Sequence, residues 1–487
     1  MNYTSFAYFL LIIPAAILYH IFPQKSRWLV LLTCNAVFYM SVVQSRRLLA
    51  LCVATGFFAW IFGLFIIFFR ERHSTKDYIL KVVFIAGIIL TAAPLLASRA
   101  GGFLFHCVIH NHTAAILLPV GASFYTLQAV GYLADIWYGK IQPEKNILKF
   151  ALFLSFFPNI IQGPIERFDK LQTQLLEGKG TDTDKLTRGF GFILWGYFLK
   201  FLIADKAAVI VNEIFDYYSE YPGMYVFVGG ILYSIQLYAD FSACVIMSKG
   251  AALLFGISIS ENFQQPYISS SVKDFWRRWH MSFSFWLRDY VYIPLGGNRH
   301  GKSRRYVNLI ATFAVSGLWH GGQWKYLFWG LLHAVFQIGE ELLARPATIL
   351  SRFFKLTNHP FLRKTFRILI TDFLVMLAWI IFRAESLRIA LKMIWSSVSV
   401  WNPWIFFDDS LYCLGLSQKE VEVLIVAILF LFATDILSEK KKNPQSILRK
   451  QPAWIRYTVY IFGILTIWIY GTYGFGFNAQ DFIYGGF

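Results

Sequence analysis

Two histidines stand in settings where an ionisable side chain is costly. His320 ends the apolar run 309–319 and is followed by Gly321 and Gly322. His280 closes the string Trp276-Arg277-Arg278-Trp279-His280. Ionisable groups at membrane depth usually face an interior cavity and are functional candidates by default. Imidazole titrates near neutral pH, so it can take a proton from a hydroxyl that attacks a carbonyl. Spacing alone leaves three roles open for His320: general base, satisfied structural histidine, or proton relay in a transporter. No HExxH, GxSxG or P-loop spacing competes with it.

The surroundings of His280 extend into a longer pattern. On a helix over 275–290, Trp276, Trp279, His280, Phe283 and Leu287 fall on one stripe, with Arg277, Arg278 and Arg288 off it. The same stripe describes an interfacial helix with aromatics at headgroup depth and arginines reaching phosphate. An imidazole among apolar rings, however, needs a hydrogen-bond partner. Downstream, 295–306 is Gly-rich and basic, carrying Asn298, Arg299, Lys302, Arg304 and Arg305. It lacks the Gly-x4-Gly-Lys spacing that cradles a triphosphate, and such a run is usually a cytoplasmic loop. If a phosphorylated donor docks there, its phosphates are candidates for these guanidinium groups. His106, His110 and His112 have no acidic or cysteine ligand beside them, so they read as a solvated loop rather than a metal site.

The elements that must position these groups are membrane helices. Of 487 residues, 57% are hydrophobic and 15% charged, whereas a soluble domain carries about 25% charge. The net charge of +17 comes without zinc-finger spacing, an RNA-binding signature or a long basic helix, which argues against nucleic acid. Cys34, Cys52, Cys107, Cys244 and Cys413 are scattered and odd in number, and read as small buried residues. Apolar stretches at 6–22, 28–43, 48–69, 78–97, 114–138 and 147–161 are candidate spans, followed by 189–211, 223–247 and 307–319. The series continues at 324–343, 366–382, 421–437 and 454–473. Two of them, 147–161 and 307–319, are short or polar and read as re-entrant or buried segments. Basic residues crowd 70–81, 140–149, 167–188, 273–305, 345–367 and 440–456, whereas 212–223 and 471–487 lack Lys and Arg. The positive-inside rule then places the basic loops in the cytoplasm and both termini outside.

Taken together, these motifs resemble the membrane-bound O-acyltransferase family, and most closely its bacterial alginate O-acetyltransferase branch. The resemblance rests on Gln264-Gln265-Pro266-Tyr267, Phe275-Trp276-Arg277-Arg278-Trp279-His280 and Trp286-Leu287-Arg288-Asp289-Tyr290. It also uses Leu295-Gly296-Gly297-Asn298-Arg299, Trp319-His320-Gly321, Phe382-Arg383-Ala384-Glu385 and Phe482-Ile483-Tyr484. Upstream, Leu118-Pro119-Val120-Gly121-Ala122-Ser123-Phe124-Tyr125 and Gln162-Gly163-Pro164-Ile165 agree as well. One departure stands out: after Asp240-Phe241-Ser242, a family carboxylate is replaced by Ile246, with Lys249 close behind.

The resemblance implies an all-α, polytopic membrane protein of about 11–13 membrane helices, re-entrant segments included, around a tunnel. It implies one membrane domain over 1–487, with N-terminal helices 1–113, a catalytic core 114–345 and C-terminal helices 346–487. The catalytic histidine of the family carries over onto His320 and the second motif histidine onto His280. Asn298, Arg299, Lys302, Arg304, Trp279 and Trp319 are weaker substrate-contact candidates. No bound cofactor or metal is expected; an acyl thioester of coenzyme A or an acyl-carrier protein is the donor substrate. Expected partners are membrane lipids and an extracytoplasmic SGNH-hydrolase-type acetyltransferase, in a bacterial cytoplasmic membrane. The expected reaction is acetyl transfer towards an extracytoplasmic polysaccharide. D-alanyl transfer to teichoic acid, a polysaccharide or solute transporter, and a scaffold that tolerates loss of His320 are the competing readings.

Overall fold

A long apolar run in a bilayer has few stable outcomes, because every backbone N–H and C=O must find its partner within the protein. The computed structural model describes residues 3–43, 45–72, 78–103, 121–353 and 358–473, and among these the regular elements are all helical. The chain opens with α1 (Phe6–Ile21), α2 (Arg27–Val42), α3 (Arg46–Arg72), α4 (Tyr78–Phe103) and α5 (Ala122–Trp137). Short α6 (Ile147–Ser155), α7 (Phe157–Ile160) and α8 (Phe168–Glu177) follow, then α9 (Thr183–Phe198), α10 (Asp205–Asp216) and α11 (Met224–Leu254). The motif region holds α12 (Val272–Arg278), α13 (Met281–Leu287), α14 (Gly301–His320) and α15 (Trp324–Leu342). The rest comprises α16 (Ala344–Phe353), α17 (Pro360–Arg383), α18 (Leu387–Ser399), α19 (Gln418–Glu439), α20 (Pro444–Arg449) and α21 (Ala453–Tyr470).

The central mast is α11. Its most apolar window is 83% buried, and it packs against α9, α10, α17 and α18. By contrast, the corresponding window of α21 is 0% buried, and exposed Trp454, Phe462 and Trp468 give it the surface of a helix that meets lipid. A π-helical segment, Leu199–Ala204, joins α9 to α10. There Lys200 Nζ lies 2.8 Å from Asp240 of α11 and 3.0 Å from Asp205, all three buried. Buried charges persist when they are paired, and this cluster ties α9, α10 and α11 together. Both ends of the described chain meet the same stretch. Tyr197 Oη donates to the Tyr3 carbonyl at 2.9 Å, and Thr472 N donates to the Phe201 carbonyl at 3.3 Å.

The helices beside His320 approach closely through two glycines. A Cβ added at Gly317 of α14 would strike the Tyr326 carbonyl, and one at Gly330 of α15 would strike the Phe313 carbonyl. Small residues at such contacts let membrane helices pack backbone to backbone. This brings residues of α15 against the end of α14.

The architecture bears out an all-α polytopic membrane protein and departs from sequence expectation at 307–319, at 275–290 and at Cys413. Six helices (α3, α4, α11, α17, α19 and α21) are long and apolar enough to cross a membrane unaided. Others fall short because they are brief, as α1, α2 and α5 are at 16 residues each, or because they begin in basic residues, as α14 does. The stretch 307–319, expected to be re-entrant or buried, belongs to a 20-residue helix, about 30 Å long. The expected helix over 275–290 is broken at His280, whose φ of 43° and ψ of 52° are left-handed. Cys413, expected to be buried, is exposed.

Candidate active site

His320 is the last residue of α14 and is 2% exposed. Its Nδ1 lies 2.7 Å from the Ser316 carbonyl oxygen, one turn back on the same helix. A carbonyl only accepts, so this bond assigns the proton to Nδ1 and leaves the lone pair on Nε2. Four aromatic rings stand around the imidazole: Trp319 at 4.7 Å, Trp329 at 4.8 Å, Phe382 at 5.5 Å and Phe283 at 5.7 Å between centroids. Phe382 begins the Phe-Arg-Ala-Glu motif at the end of α17. The sequence motifs around 320 and 382 therefore meet in space.

His280 sits at the break between α12 and α13. A non-glycine residue in left-handed backbone costs on the order of 1–3 kcal/mol and persists only where surroundings enforce it. Asn262 supplies much of that enforcement. Its Oδ1 accepts from Ser282 N at 3.0 Å and Ser282 Oγ at 2.9 Å, and lies 3.3 Å from His280 Nδ1. Its carbonyl accepts from Met281 N at 2.9 Å. Ser282 Oγ in turn accepts from Ile165 N at 3.0 Å, which fastens the 162–165 motif to the same knot. His280 Nε2 is buried without a partner among the described residues. The two histidines share walls: Phe283 and Trp319 lie 5.0 and 6.2 Å from the His280 ring, and both also touch His320. Trp276, Trp279, Phe283 and Leu287 are buried, which places the expected stripe in the interior and not at a lipid interface.

Removing the Asn262 side chain deprives His280 and Ser282 of their shared acceptor, a loss of about 1–3 kcal/mol. Asn262→Ala is expected to lower turnover at this site about tenfold at equal membrane insertion. Asn262→Asp, which keeps the acceptor, should recover most of that rate. An alanine variant with unchanged turnover would show that the knot does not position His280.

A third histidine escaped sequence reading. His333 of α15 is fully buried, and neither ring nitrogen has a partner among the described residues. Trp329 stands between it and His320, 5.0 Å from His333 and 4.8 Å from His320. Trp276 lies 5.1 Å from the His333 ring. The indole nitrogens of Trp276 and Trp329 are likewise buried and unpartnered. Three polar rings without partners beside a candidate base mark a site able to hydrogen-bond a bound molecule. The available signal was the Trp329–His333 pair at i, i+4 in an apolar segment. The Lys200 cluster carries no such local signal, although Asp240 lies in the Asp240-Phe241-Ser242 stretch.

Other candidates are placed differently. Asn298, Arg299, Lys302 and Arg304 are exposed at the opposite end of α14 from His320. Sixteen residues of helix from Arg304 to His320 correspond to about 24 Å, so the structure does not bring these groups to the histidines. Trp319 touches both histidine rings. Trp279 is 1% exposed and packs against Phe263, Phe275 and Trp379. Ile246 is half-buried, and Lys249 pairs with Glu261 at 2.7 Å. His106, His110, His112, Cys107, Phe482 and Tyr484 lie outside the described residues. Among the described residues, no group of three His, Cys, Asp or Glu could hold a metal ion.

Comparison with known proteins adds independent evidence. Residues 140–380 match the family model described as MBOAT, membrane-bound O-acyltransferase family. All three buried histidines lie within that span. The chain is 34% identical over 444 residues to "Probable alginate O-acetylase AlgI" of Azotobacter vinelandii, covering 88% of this chain and 83% of that protein. It is 34% identical over 311 residues to "Peptidoglycan O-acetyltransferase" of Helicobacter pylori, covering 58% of each. It is 32% identical over 264 residues to "Teichoic acid D-alanyltransferase" of Bacillus subtilis, covering 52% of this chain and 66% of that one.

Proposed function

The chain belongs to the membrane-bound O-acyltransferase family, and on that footing we propose that His320 catalyses acetyl transfer from a cytoplasmic thioester towards an extracytoplasmic polysaccharide. The observation that carries this reading is the Nδ1 bond to Ser316, which leaves Nε2 of a buried imidazole as the basic nitrogen. In the proposed step, Nε2 takes the proton of the acceptor hydroxyl while its oxygen attacks the thioester carbonyl carbon. The tetrahedral intermediate collapses, the carbon–sulfur bond breaks, and the departing thiolate receives the proton from Nε2. A positioned base contributes about 10²–10⁴-fold. Aromatic walls that exclude water suppress hydrolysis of the thioester. His280 Nε2 orients the acceptor from the neighbouring position.

Positive-inside logic puts the basic start of α14 on the cytoplasmic face, where the thioester of coenzyme A or an acyl-carrier protein would arrive. His320, at the far end of that helix, then lies towards the acceptor side, and both chain termini are extracytoplasmic. An SGNH-hydrolase-type partner outside the membrane would complete transfer onto the polymer. Acetyl is favoured over D-alanyl because the O-acetylase relative matches 88% of this chain at 34% identity, against 52% at 32% for the D-alanyltransferase.

The test uses purified protein reconstituted in sealed vesicles of assigned orientation. Acetyl-coenzyme A and an acetylated carrier protein are supplied separately on each side. Thiol release is expected only when a donor meets the face carrying residues 299–305. Solute flux through the vesicles without thioester cleavage would replace this reading with transport.

A further inference from the structure

Of the four aromatic rings that stand around His320, only those of Trp319 and Trp329 carry a hydrogen-bond donor. Trp319 Nε1 is committed, since it donates to the Ser123 carbonyl at 3.4 Å. Trp329 Nε1 is buried and has no partner among the described residues, although its ring centre lies 4.8 Å from that of His320. The whole side chain is 0% exposed, so surface water does not serve it. A buried donor left unpaired costs about 1–3 kcal/mol.

The rings further out do not supply the missing acceptor. Trp276, 5.9 Å from Trp329, brings another buried and unpaired indole N–H. His333 lies 5.0 Å from Trp329 and 5.1 Å from Trp276, and neither of its nitrogens is paired among the described residues. A neutral imidazole offers a single lone pair and adds an N–H of its own. Donors therefore outnumber acceptors here however the His333 ring is turned. Such an excess suits a bound molecule that brings an acceptor oxygen. The Trp329 donor is also held in place. A Cβ at Gly330, the next residue, would strike the Phe313 carbonyl, so the backbone of Trp329 is pressed against α14. On the ring itself, Trp379 stacks at 5.7 Å and Phe382 packs edge-on at 5.2 Å.

In the transfer described above, the thioester carbonyl carbon becomes tetrahedral beside His320, and its oxygen takes up negative charge. A fixed donor in a site that excludes water stabilises that charge with no reorganisation at the moment of reaction. We propose that Trp329 is a catalytic residue whose indole N–H donates to the carbonyl oxygen of the donor thioester, and donates more strongly to the oxyanion that forms from it. The indole keeps its hydrogen throughout. The bond that forms runs from the attacking oxygen to the carbonyl carbon, the bond that breaks is carbon–sulfur, and the proton in flight is the one on His320 Nε2. This deepens the acyltransferase reading and rests on it. Because it concerns the thioester half of the reaction, it holds for whichever hydroxyl attacks.

The test uses full-length protein in sealed vesicles. The probes are acetyl-coenzyme A and an acetylated carrier protein, each isotope-labelled at the carbonyl carbon. Trp329→Phe keeps an aromatic ring and removes the donor. A second variant carries benzothienylalanine in place of Trp329, which preserves the bicyclic shape and lacks only the N–H. Both are expected to release thiol about 100-fold more slowly at saturating donor, with KM nearly unchanged, as for an interaction realised in the transition state. In His320→Gln protein, which holds the donor without turning it over, the infrared band of the labelled carbonyl should move to higher frequency when benzothiophene replaces the indole. Wild-type turnover in the benzothienyl variant overturns the role, and so does an unmoved carbonyl band. Loss in Trp329→Phe with full activity in the benzothienyl variant also overturns it, because ring shape and not the donor would then matter. Thiol release by wild type is recorded in parallel. Its absence with both donors strikes the acyltransferase reading and this role with it, whereas equal release by wild type and the benzothienyl variant strikes only the role of Trp329.

Discussion

His320→Ala is expected to reduce acyl transfer by at least about 100-fold, the lower range for losing a positioned general base. The side chain is the buried imidazole whose Nε2 is left basic by the Ser316 bond. Alanine removes the base and opens a void among Trp319, Trp329, Phe283 and Phe382, so some loss of stability accompanies it. His320→Gln separates the two effects, since it fills more of the space and supplies no base. Both variants should insert, and the glutamine variant should melt within a few degrees of wild type. Both should fail to transfer. The measurement is labelled acetyl moved to acceptor per inserted protein, alongside thermal unfolding in detergent. Retained transfer in the glutamine variant would leave His320 as a structural histidine or scaffold residue.

Lys200→Met is expected to give the largest loss of stability among single substitutions in the interior. It leaves Asp205 and Asp240 buried without their shared cation, 3.0 and 2.8 Å from where Nζ stood. Removing one partner of a buried ion pair costs about 3–5 kcal/mol, because the remaining charge is uncompensated. The damage should reach the site, because Asp240 precedes Phe241, whose ring meets His280 edge-on at 4.8 Å. Thermal unfolding of the detergent-solubilised protein should therefore shift down, and transfer should fall with it. Lys200→Met combined with Asp240→Asn removes one stranded charge and should recover part of the loss. An unshifted melting temperature in the single variant would show that the cluster contributes little to the packing of α11.

Much of the fold class was legible because the bilayer leaves few options: long apolar runs became helices, and the two motif histidines proved to be buried neighbours. Local pattern gave no warning of the break at His280. The stripe from Trp276 to Leu287 is continuous on paper and contains no Gly or Pro. What interrupts it is Asn262, whose oxygens bind Ser282 and Met281 across the break. His333 was illegible for a related reason, since a lone histidine on an apolar helix gains meaning only when Gly317 and Gly330 draw α15 against α14. Lys200 and its two aspartates are separated by up to 40 positions, so their pairing exists only in three dimensions. The basic run at 299–305 illustrates the reverse case. Sequence proximity placed it near the chemistry, whereas the length of α14 holds it about 24 Å from His320.

The proposed role of His320 is that of a base supporting acyl transfer within an assembled membrane core. Its most direct test is one turnover of labelled acetyl-thioester in vesicles holding equal amounts of folded wild-type or His320→Gln protein, with the acceptor polymer and the SGNH-hydrolase-type partner enclosed. Wild type is expected to give rapid thiol release and labelled polymer, and the variant at least about a 100-fold slower appearance of both. Equal rates of polymer labelling in the two preparations would contradict it.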